Sequence, residues 1–187
     1  MKRLVLKFGG TSVGSITKIK NVANIVRKKH EEGNEIIVVV SAMSGATNDL
    51  MKKSHEVSEN FNAKELDVLL SSGEQASSAL LAGTIIDMGM NARSWQGWQI
   101  PIITDNNHSS SQIKGIVTDE IEKFISKGGI AIVAGFQGIS SEKRITTLGR
   151  GGSDLSAVAI AKFFNASSCE IYTDVDGIFT ANPKHVP

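Results

Sequence analysis

Residues 35–42 read EIIVVVSA, and this stretch decides the fold. Five apolar residues follow one another without a polar interruption, so a strand formed here would bury both of its faces. Strands of that kind belong to parallel sheets that have helices packed on each side. We therefore predict a strand at the centre of an α/β domain.

Strand-like and helix-like segments alternate on both sides of this stretch. Further strands are predicted at residues 3–9 (RLVLKFG), 91–97, 101–105, 130–138 (IAIVAGFQG) and 168–177 (SCEIYTDVDG). Apolar residues at helical spacing predict helices over residues 15–33, 44–60, 116–129 and 153–166. Residues 63–89 read as two helical segments separated near residues 71–73. The alternation predicts a three-layer α/β/α sandwich on a mostly parallel sheet.

Composition excludes several classes of function. The 187 residues carry 20 basic and 19 acidic side chains, with no basic stripe, so a nucleic-acid partner is not expected. No apolar run is long enough to span a bilayer, and no signal peptide is visible. Cys169 is the single cysteine, which fits a reducing compartment and predicts a cytoplasmic location. The four histidines lack the spacing of a zinc site.

Residues 7–12, KFGGTS, follow the first predicted strand. The backbone N–H groups around Gly9 and Gly10 could close on phosphate oxygens, and Lys7 would add a positive charge. The segment is not a Walker A loop, because the lysine precedes the glycines. A tight turn with a surface lysine would explain the same residues, so this motif alone leaves both interpretations open.

Two further polar segments have both a structural and a functional interpretation. Residues 41–48, SAMSGATN, follow the central strand, where ligands bind in open α/β sheets. Thr47 on its own is better explained as a helix cap. Glu74 follows a glycine between the two helical segments of residues 63–89. Its carboxylate would complement a helix dipole or hold a substrate ammonium, and the sequence slightly favours the dipole.

The sharpest signal is residues 146–154, TTLGRGGSD. Three glycines surround Arg150, a residue type suited to bidentate binding of carboxylate or phosphate. Ser153 and Asp154 open the next helix, and Asp154 would also serve as a cap. Residues 173–177, TDVDG, end the last strand and are a weaker signal, since Asp-Gly is also an ordinary turn.

These segments gain meaning together. Lys7, Ser41, the Arg150 loop and Asp174 all follow predicted strands, and the carboxyl ends of parallel strands share one edge. Cations, glycine N–H groups and carboxylates would then meet in one cleft. That combination is what phosphoryl transfer requires.

The ordered motifs carry a resemblance that covers nearly the whole chain. KFGGTSVGS, VVVSAMSGATN, LLSSGEQ, ARSWQGWQIPIITD, GFQG, ITTLGRGGSD and IYTDVDGIFTANPK occur in the order found in aspartokinases, which belong to the amino acid kinase superfamily. The resemblance implies transfer of the ATP γ-phosphoryl group to the side-chain carboxylate of L-aspartate, the first step toward lysine, threonine and methionine. It implies Mg²⁺ bridging phosphate oxygens, with no metal site of the protein's own, and a homo-oligomer, usually a dimer.

The resemblance also implies roles for individual residues. Lys7 would neutralise the transferring phosphoryl group, and Asp154 would organise that lysine. The implied ATP-binding residues are Lys7, Phe8, Gly9, Gly10, Ser41, Thr173, Asp174, Phe179 and Lys184. The implied aspartate-binding residues are Thr47, Glu74, Arg150, Gly151, Ser153 and Asp154.

Departures from the family pattern lie near the end of the chain. Phe179 stands where many relatives have tyrosine, and Lys184 replaces an arginine, keeping the charge but losing the fork. Family catalytic domains continue past the position of Pro187, and regulatory ACT domains usually follow. We therefore expect residues 1–187 to be a truncated amino acid kinase catalytic domain without ACT domains. The alternatives are another acceptor (glutamate, N-acetylglutamate, carbamate or a nucleoside monophosphate) or a non-catalytic binding or assembly fragment.

Overall fold

The computed structural model describes residues 2–173. The strands are β1 (Arg3–Phe8), β2 (Glu35–Val40), β3 (Ala92–Trp95), β4 (Ile102–Thr104), β5 (Ile113–Ile116), β6 (Ile130–Ala134), β7 (Gln137–Ile139), β8 (Ile145–Thr147) and β9 (Ser168–Tyr172). The helices are α1 (Ile16–Glu31), α2 (Ala46–Val57), α3 (Ala63–Asp87), α4 (Asp119–Ile125) and α5 (Gly152–Phe163). The strands form two sheets, and helices α3 and α5 contact strands of both sheets.

The larger sheet is parallel throughout and has the strand order β3-β6-β2-β1-β9. Its centre is β2, whose residues 36–40 are fully buried. Because side chains alternate along a strand, Ile36 and Val38 pack on one face of the sheet, and Ile37 and Val39 pack on the other. The predicted central strand, buried on both faces, is confirmed.

Helices cover both faces of this sheet. On one face, Val22 and Val26 of α1 and Leu81 of α3 belong to one apolar cluster. On the other face, Ile121 of α4 and Ile160 of α5 belong to a second cluster. The predicted α/β/α sandwich on a mostly parallel sheet is therefore confirmed. No helix within residues 2–173 has the length and apolar character needed to cross a bilayer.

The smaller sheet was not foreseen. Its strand order is β5-β4-β7-β8, with antiparallel pairing at both ends. Each of its strands has only three or four residues, too few to show a period in the sequence. The segment 130–138, predicted as one strand, divides into β6 and β7 at Phe136, whose φ is +68°. The helix predicted over residues 116–129 is shorter, because residue 116 ends β5.

Helix α3 is continuous over 25 residues, so the predicted division near residues 71–73 is wrong. The hydroxyl groups of Ser71 and Ser72 donate to the carbonyl oxygens of Val68 and Leu69, which satisfies both serines inside the helix. Glu74 therefore lies in the interior of a helix. A dipole role for this carboxylate at a helix start is excluded.

The two glycines of α3 offer a matched test of how closely this helix packs. A Cβ at Gly73 would lie 2.8 Å from the Cβ of Ala42, whereas a Cβ at Gly83 meets nothing within 4 Å. Alanine at either position gains helix propensity, which is worth about 1 kcal/mol. At position 73 we expect overpacking of about 1–3 kcal/mol to exceed that gain. Gly73→Ala should thus lower the free energy of unfolding, measured by urea denaturation.

Gly83→Ala is the control and should raise the free energy of unfolding by up to about 1 kcal/mol. Equal stabilisation by the two substitutions would contradict the close approach of α3 to residue 42.

Candidate active site

A cleft opens beyond the carboxyl ends of β1 and β2. Its lining residues are Lys7, Ser41, Ala42, Thr47, Glu74, Phe136, Gly149, Gly151, Gly152, Ser153 and Asp154. The cleft therefore brings together seven of the fifteen residues predicted to bind ATP or the acceptor: Lys7, Ser41, Thr47, Glu74, Gly151, Ser153 and Asp154. The three layers of the fold each contribute: the parallel sheet, α2 and α3, and the first turn of α5.

Lys7 reaches this cleft because of its position on β1. It shares the face of the sheet that Val5 occupies, and α5 packs on that face. Its Nζ lies 2.7 Å from Oδ1 of Asp154, in the first turn of α5. Lys7 is only 8% exposed, so its ammonium needs a charged partner, and Asp154 supplies one.

The glycines after Lys7 allow two loops to pack backbone against backbone. A Cβ at Gly10 would lie 2.7 Å from the carbonyl oxygen of Ala42, and the N–H of Ser44 donates to the carbonyl oxygen of Gly10. A Cβ at Gly9 would lie 3.6 Å from Nζ of Lys7. A side chain at position 10 would push apart the loops that follow β1 and β2. The close packing of these two loops therefore requires glycine at position 10.

Glu74 is a buried carboxyl group with one engaged oxygen. It is 4% exposed, and its Oε1 accepts a hydrogen bond from the N–H of Ala42 at 3.0 Å. Its Oε2 is buried and has no hydrogen-bond partner among the described residues. Burial raises the pKa of Glu74 to about 7, although the bond from Ala42 acts in the opposite direction. A cation in the cleft would complement this carboxyl group.

The helix caps beside the cleft are glycines. Gly45 caps α2 with a φ of +88°, so the prediction that Thr47 is a cap is wrong, and Thr47 faces the cleft from the first turn. Gly151 caps α5 with a φ of +69°, so neither Ser153 nor Asp154 has that role. Because the first turn of α5 lines the cleft, the positive end of the α5 dipole is directed at the cleft and favours anions there.

Some predicted residues are not placed inside the cleft. Arg150 is exposed and does not line it, although both neighbours in the chain do. The ring of Phe8 lies on the opposite face of the sheet from Lys7 and stacks on Tyr172, with centroids 4.6 Å apart. Phe8 and Thr173 border a separate pocket beside α1. Asp174, Phe179 and Lys184 lie outside the described residues.

Phe136 lines the cleft and was missed by the sequence analysis. Its positive φ is unusual for a residue that carries a side chain. The conformation is held by the Ser156 hydroxyl, which accepts from the N–H of Phe136, and by the N–H of Leu148, which donates to the Phe136 carbonyl oxygen. The only signal in the sequence is the pair of glycines in GFQG, which marks a turn between strands.

A sequence profile of the Amino acid kinase family matches residues 2–187. The chain belongs to this family. Among curated members of the amino acid kinase family, it is similar to the aspartokinase of Rickettsia felis, with 47% identity over 190 residues that cover 100% of this chain and 47% of the relative. It is also similar to the aspartokinase of Geobacillus stearothermophilus, with 48% identity over 183 residues that cover 98% of this chain and 45% of the relative. The chain spans about half the length of these curated relatives.

Solved structures in the amino acid kinase family have the same architecture. The aspartate kinase of Synechocystis matches with a TM-score of 0.82 and 44% identity, over 98% of this chain and 30% of that chain. Aspartokinase III of E. coli matches with a TM-score of 0.83 and 23% identity, over 98% of this chain and 52% of that chain, and it supports the fold alone.

Proposed function

We propose that this chain is the part of an aspartokinase that brings L-aspartate and the ATP γ-phosphoryl group together, giving 4-phospho-L-aspartate and ADP. The observation that carries the proposal is the pairing of two features in one cleft: the Lys7–Asp154 ion pair and the half-satisfied carboxyl group of Glu74. Similarity to the aspartokinases of Rickettsia felis and Geobacillus stearothermophilus supports the choice of substrate. A cytoplasmic homo-oligomer is part of the same proposal.

Lys7 would stabilise the transferring phosphoryl group. Its ammonium is held beside Gly9, whose own N–H donates to the carbonyl oxygen of Tyr172, and the N–H group of Gly10 can add a hydrogen bond to a phosphate oxygen. An oxygen of the acceptor carboxylate attacks the γ-phosphorus, and the bond from that phosphorus to the bridging oxygen breaks as ADP leaves. The aspartate side chain is already ionised at neutral pH, so no general base is needed.

Glu74 would select an acceptor with a free amino group. An ammonium beside Oε2 supplies the missing partner and favours the ionised carboxylate. Thr47 and Ser153 line the same cleft and would supply hydroxyl groups to the acceptor. An N-acetylated amino acid offers no cation, so it would leave Glu74 buried and unpaired.

ATP and Mg²⁺ would occupy the side of the cleft next to β1 and β2. Ser41 directly follows β2, lines the cleft and precedes Ala42, whose carbonyl oxygen packs against Gly10. Within residues 2–173, no group of three or more acidic, histidine or cysteine side chains is placed to hold a metal ion. The donor set therefore fits a Mg²⁺ held chiefly by phosphate oxygens, which is a common arrangement for this ion. Mg²⁺ would supply charge neutralisation on those oxygens.

Arg150 is proposed to bind the acceptor's second carboxylate from the rim of the cleft. The left-handed glycines on either side, with φ of +75° and +69°, place the residue at the tip of a tight turn. We expect Arg150→Lys to raise the KM for L-aspartate by about tenfold, because lysine cannot form the bidentate contact. The KM for ATP should change much less. Steady-state kinetics in both substrates would measure this, and equal increases would contradict the assigned role.

The activity can be tested by incubating the full-length gene product with ATP, Mg²⁺ and an acceptor and measuring the ADP that forms. The acceptors to compare are L-aspartate, L-glutamate, N-acetyl-L-glutamate, carbamate and UMP. We expect release that depends on L-aspartate. If ADP forms only with another of these acceptors, that acceptor replaces L-aspartate as the proposed substrate. If ADP forms with none of the five acceptors, the proposed kinase activity is rejected.

A further inference from the structure

Asp67 is a fully buried carboxylate that lies outside the cleft and has an unusual number of partners. It is 0% exposed on α3. Its Oδ1 accepts from the hydroxyl of Thr147 at 2.6 Å, and the N–H of Ser109 donates to its two oxygens at 3.1 and 3.2 Å. Nδ1 of His108 lies 2.6 Å from Oδ2. One side chain thus connects α3 to the loop that contains His108 and Ser109 and to the end of β8.

This loop and the end of β8 pack directly against each other. The carbonyl oxygen of Thr147 accepts from both the N–H and the hydroxyl of Ser111, each at 2.9 Å. A Cβ at Gly149 would lie 3.3 Å from the carbonyl oxygen of Ser109. Ser109 has a φ of +66°, a conformation that its hydrogen bonds to Asp67 hold in place. The turn that carries Arg150 therefore rests on a loop that Asp67 fixes.

Asp67 and Glu74 lie on the same face of α3. They are seven positions apart in the sequence, which is about two helical turns and about 10 Å along the axis. Glu74 reaches the cleft, and Asp67 holds the end of β8, after which Gly149 and Gly151 line the cleft. A single rigid helix thus sets the spacing between the carboxyl group at the cleft and the turn around Arg150.

We propose that Asp67 is a positioning residue for the acceptor: it fixes the turn 147–151 at a set distance from Glu74 and so determines which spacing of ammonium and carboxylate the cleft accepts. This inference rests on the proposed function. A merely structural role would lower stability without a selective effect on one substrate. Positioning predicts a selective loss of acceptor binding.

Two adjacent threonines provide a matched test in the full-length gene product. Thr147→Val removes one donor to Asp67, and Thr146→Val removes an equally buried hydroxyl, which lies 2.6 Å from that of Thr104. We expect Thr147→Val to raise the KM for L-aspartate about tenfold, because the turn 147–151 loses a buried hydrogen bond to a charged group, the stronger kind of hydrogen bond, that holds it to α3. The KM for ATP should stay near its original value, and Thr147→Ser should restore the KM for L-aspartate.

Thr146→Val should leave both KM values near those of the unchanged protein, even if it lowers the free energy of unfolding by as much as Thr147→Val does. The same KM for L-aspartate in the two valine variants would overturn the positioning role. Equal increases in the KM for ATP and the KM for L-aspartate in Thr147→Val would also overturn it.

Hydrogen exchange supplies a second readout that needs no substrate. Asp67→Asn and Thr147→Val should speed amide exchange at Ser109, at Ser111 and in residues 148–152, whereas Thr146→Val should not. Unchanged exchange in both of the first two variants would also overturn the inference. If the unchanged protein releases no ADP with L-aspartate, the proposed function fails, but this exchange pattern still tests whether Asp67 holds the turn.

Discussion

Lys7→Met is expected to lower kcat by at least about a thousandfold, because it removes the buried cation that faces the transferring phosphoryl group. The fold should survive, since the methionine side chain occupies a similar volume and Asp154, with a side chain 48% exposed, can be solvated once its partner is lost. ADP release at saturating ATP and L-aspartate would measure the effect. Circular dichroism would verify the fold.

Lys20→Met is the matched control, because Lys20 is exposed on α1. It should leave kcat near its original value. A Lys7→Met variant with kcat within tenfold of the unchanged protein would contradict the role assigned to the Lys7–Asp154 pair.

Glu74→Gln is expected to have two opposite effects. Aspartate binding should weaken by at least about a hundredfold, because the ammonium loses a buried charged partner. Stability without ligand should increase at neutral and higher pH. Burial raises the pKa of Glu74 from 4.5 to about 7, so the folded protein binds more protons than the unfolded chain between these values. Stability therefore falls as pH rises through this window, by about 3 kcal/mol in total.

The glutamine variant cannot ionise at this position, so its stability should lack that decrease. Urea denaturation of both proteins at pH 5 and pH 8, with calorimetry of aspartate binding, would measure the two effects. Glu56→Gln, on the exposed surface of α2, is the control and should change neither. A Glu74→Gln variant that is less stable than the unchanged protein at pH 8, or that binds aspartate normally, would contradict this account.

The parallel sheet could be predicted because its strands are marked by composition. Residues 36–40 are apolar without interruption, and a strand of that kind has few alternatives to burial on both faces. The smaller sheet could not be predicted in the same way. β8 has three residues, and its pairing with β7 depends on contacts between segments that the sequence does not mark.

The site was located partly for the wrong reason. The Arg150 loop was expected to follow a strand of the parallel sheet, but it follows β8 of the smaller sheet. It reaches the cleft because Gly151 caps α5 and the first turn of that helix, which begins at Gly152, meets Lys7 through Asp154. The role of α3 was hidden because Ser71 and Gly73 looked like a helix break, whereas a single helix carries both Asp67 and Glu74.

The central claim is that one cleft holds an acceptor ammonium at Glu74 and a phosphoryl group at Lys7. The most direct test is to run the reaction of the full-length protein in the presence of hydroxylamine. Hydroxylamine converts an acyl phosphate into a hydroxamate, which can be measured. The account predicts hydroxamate from ATP and L-aspartate and none from ATP and N-acetyl-L-aspartate. Equal hydroxamate from the two acceptors, or none from L-aspartate, would contradict it.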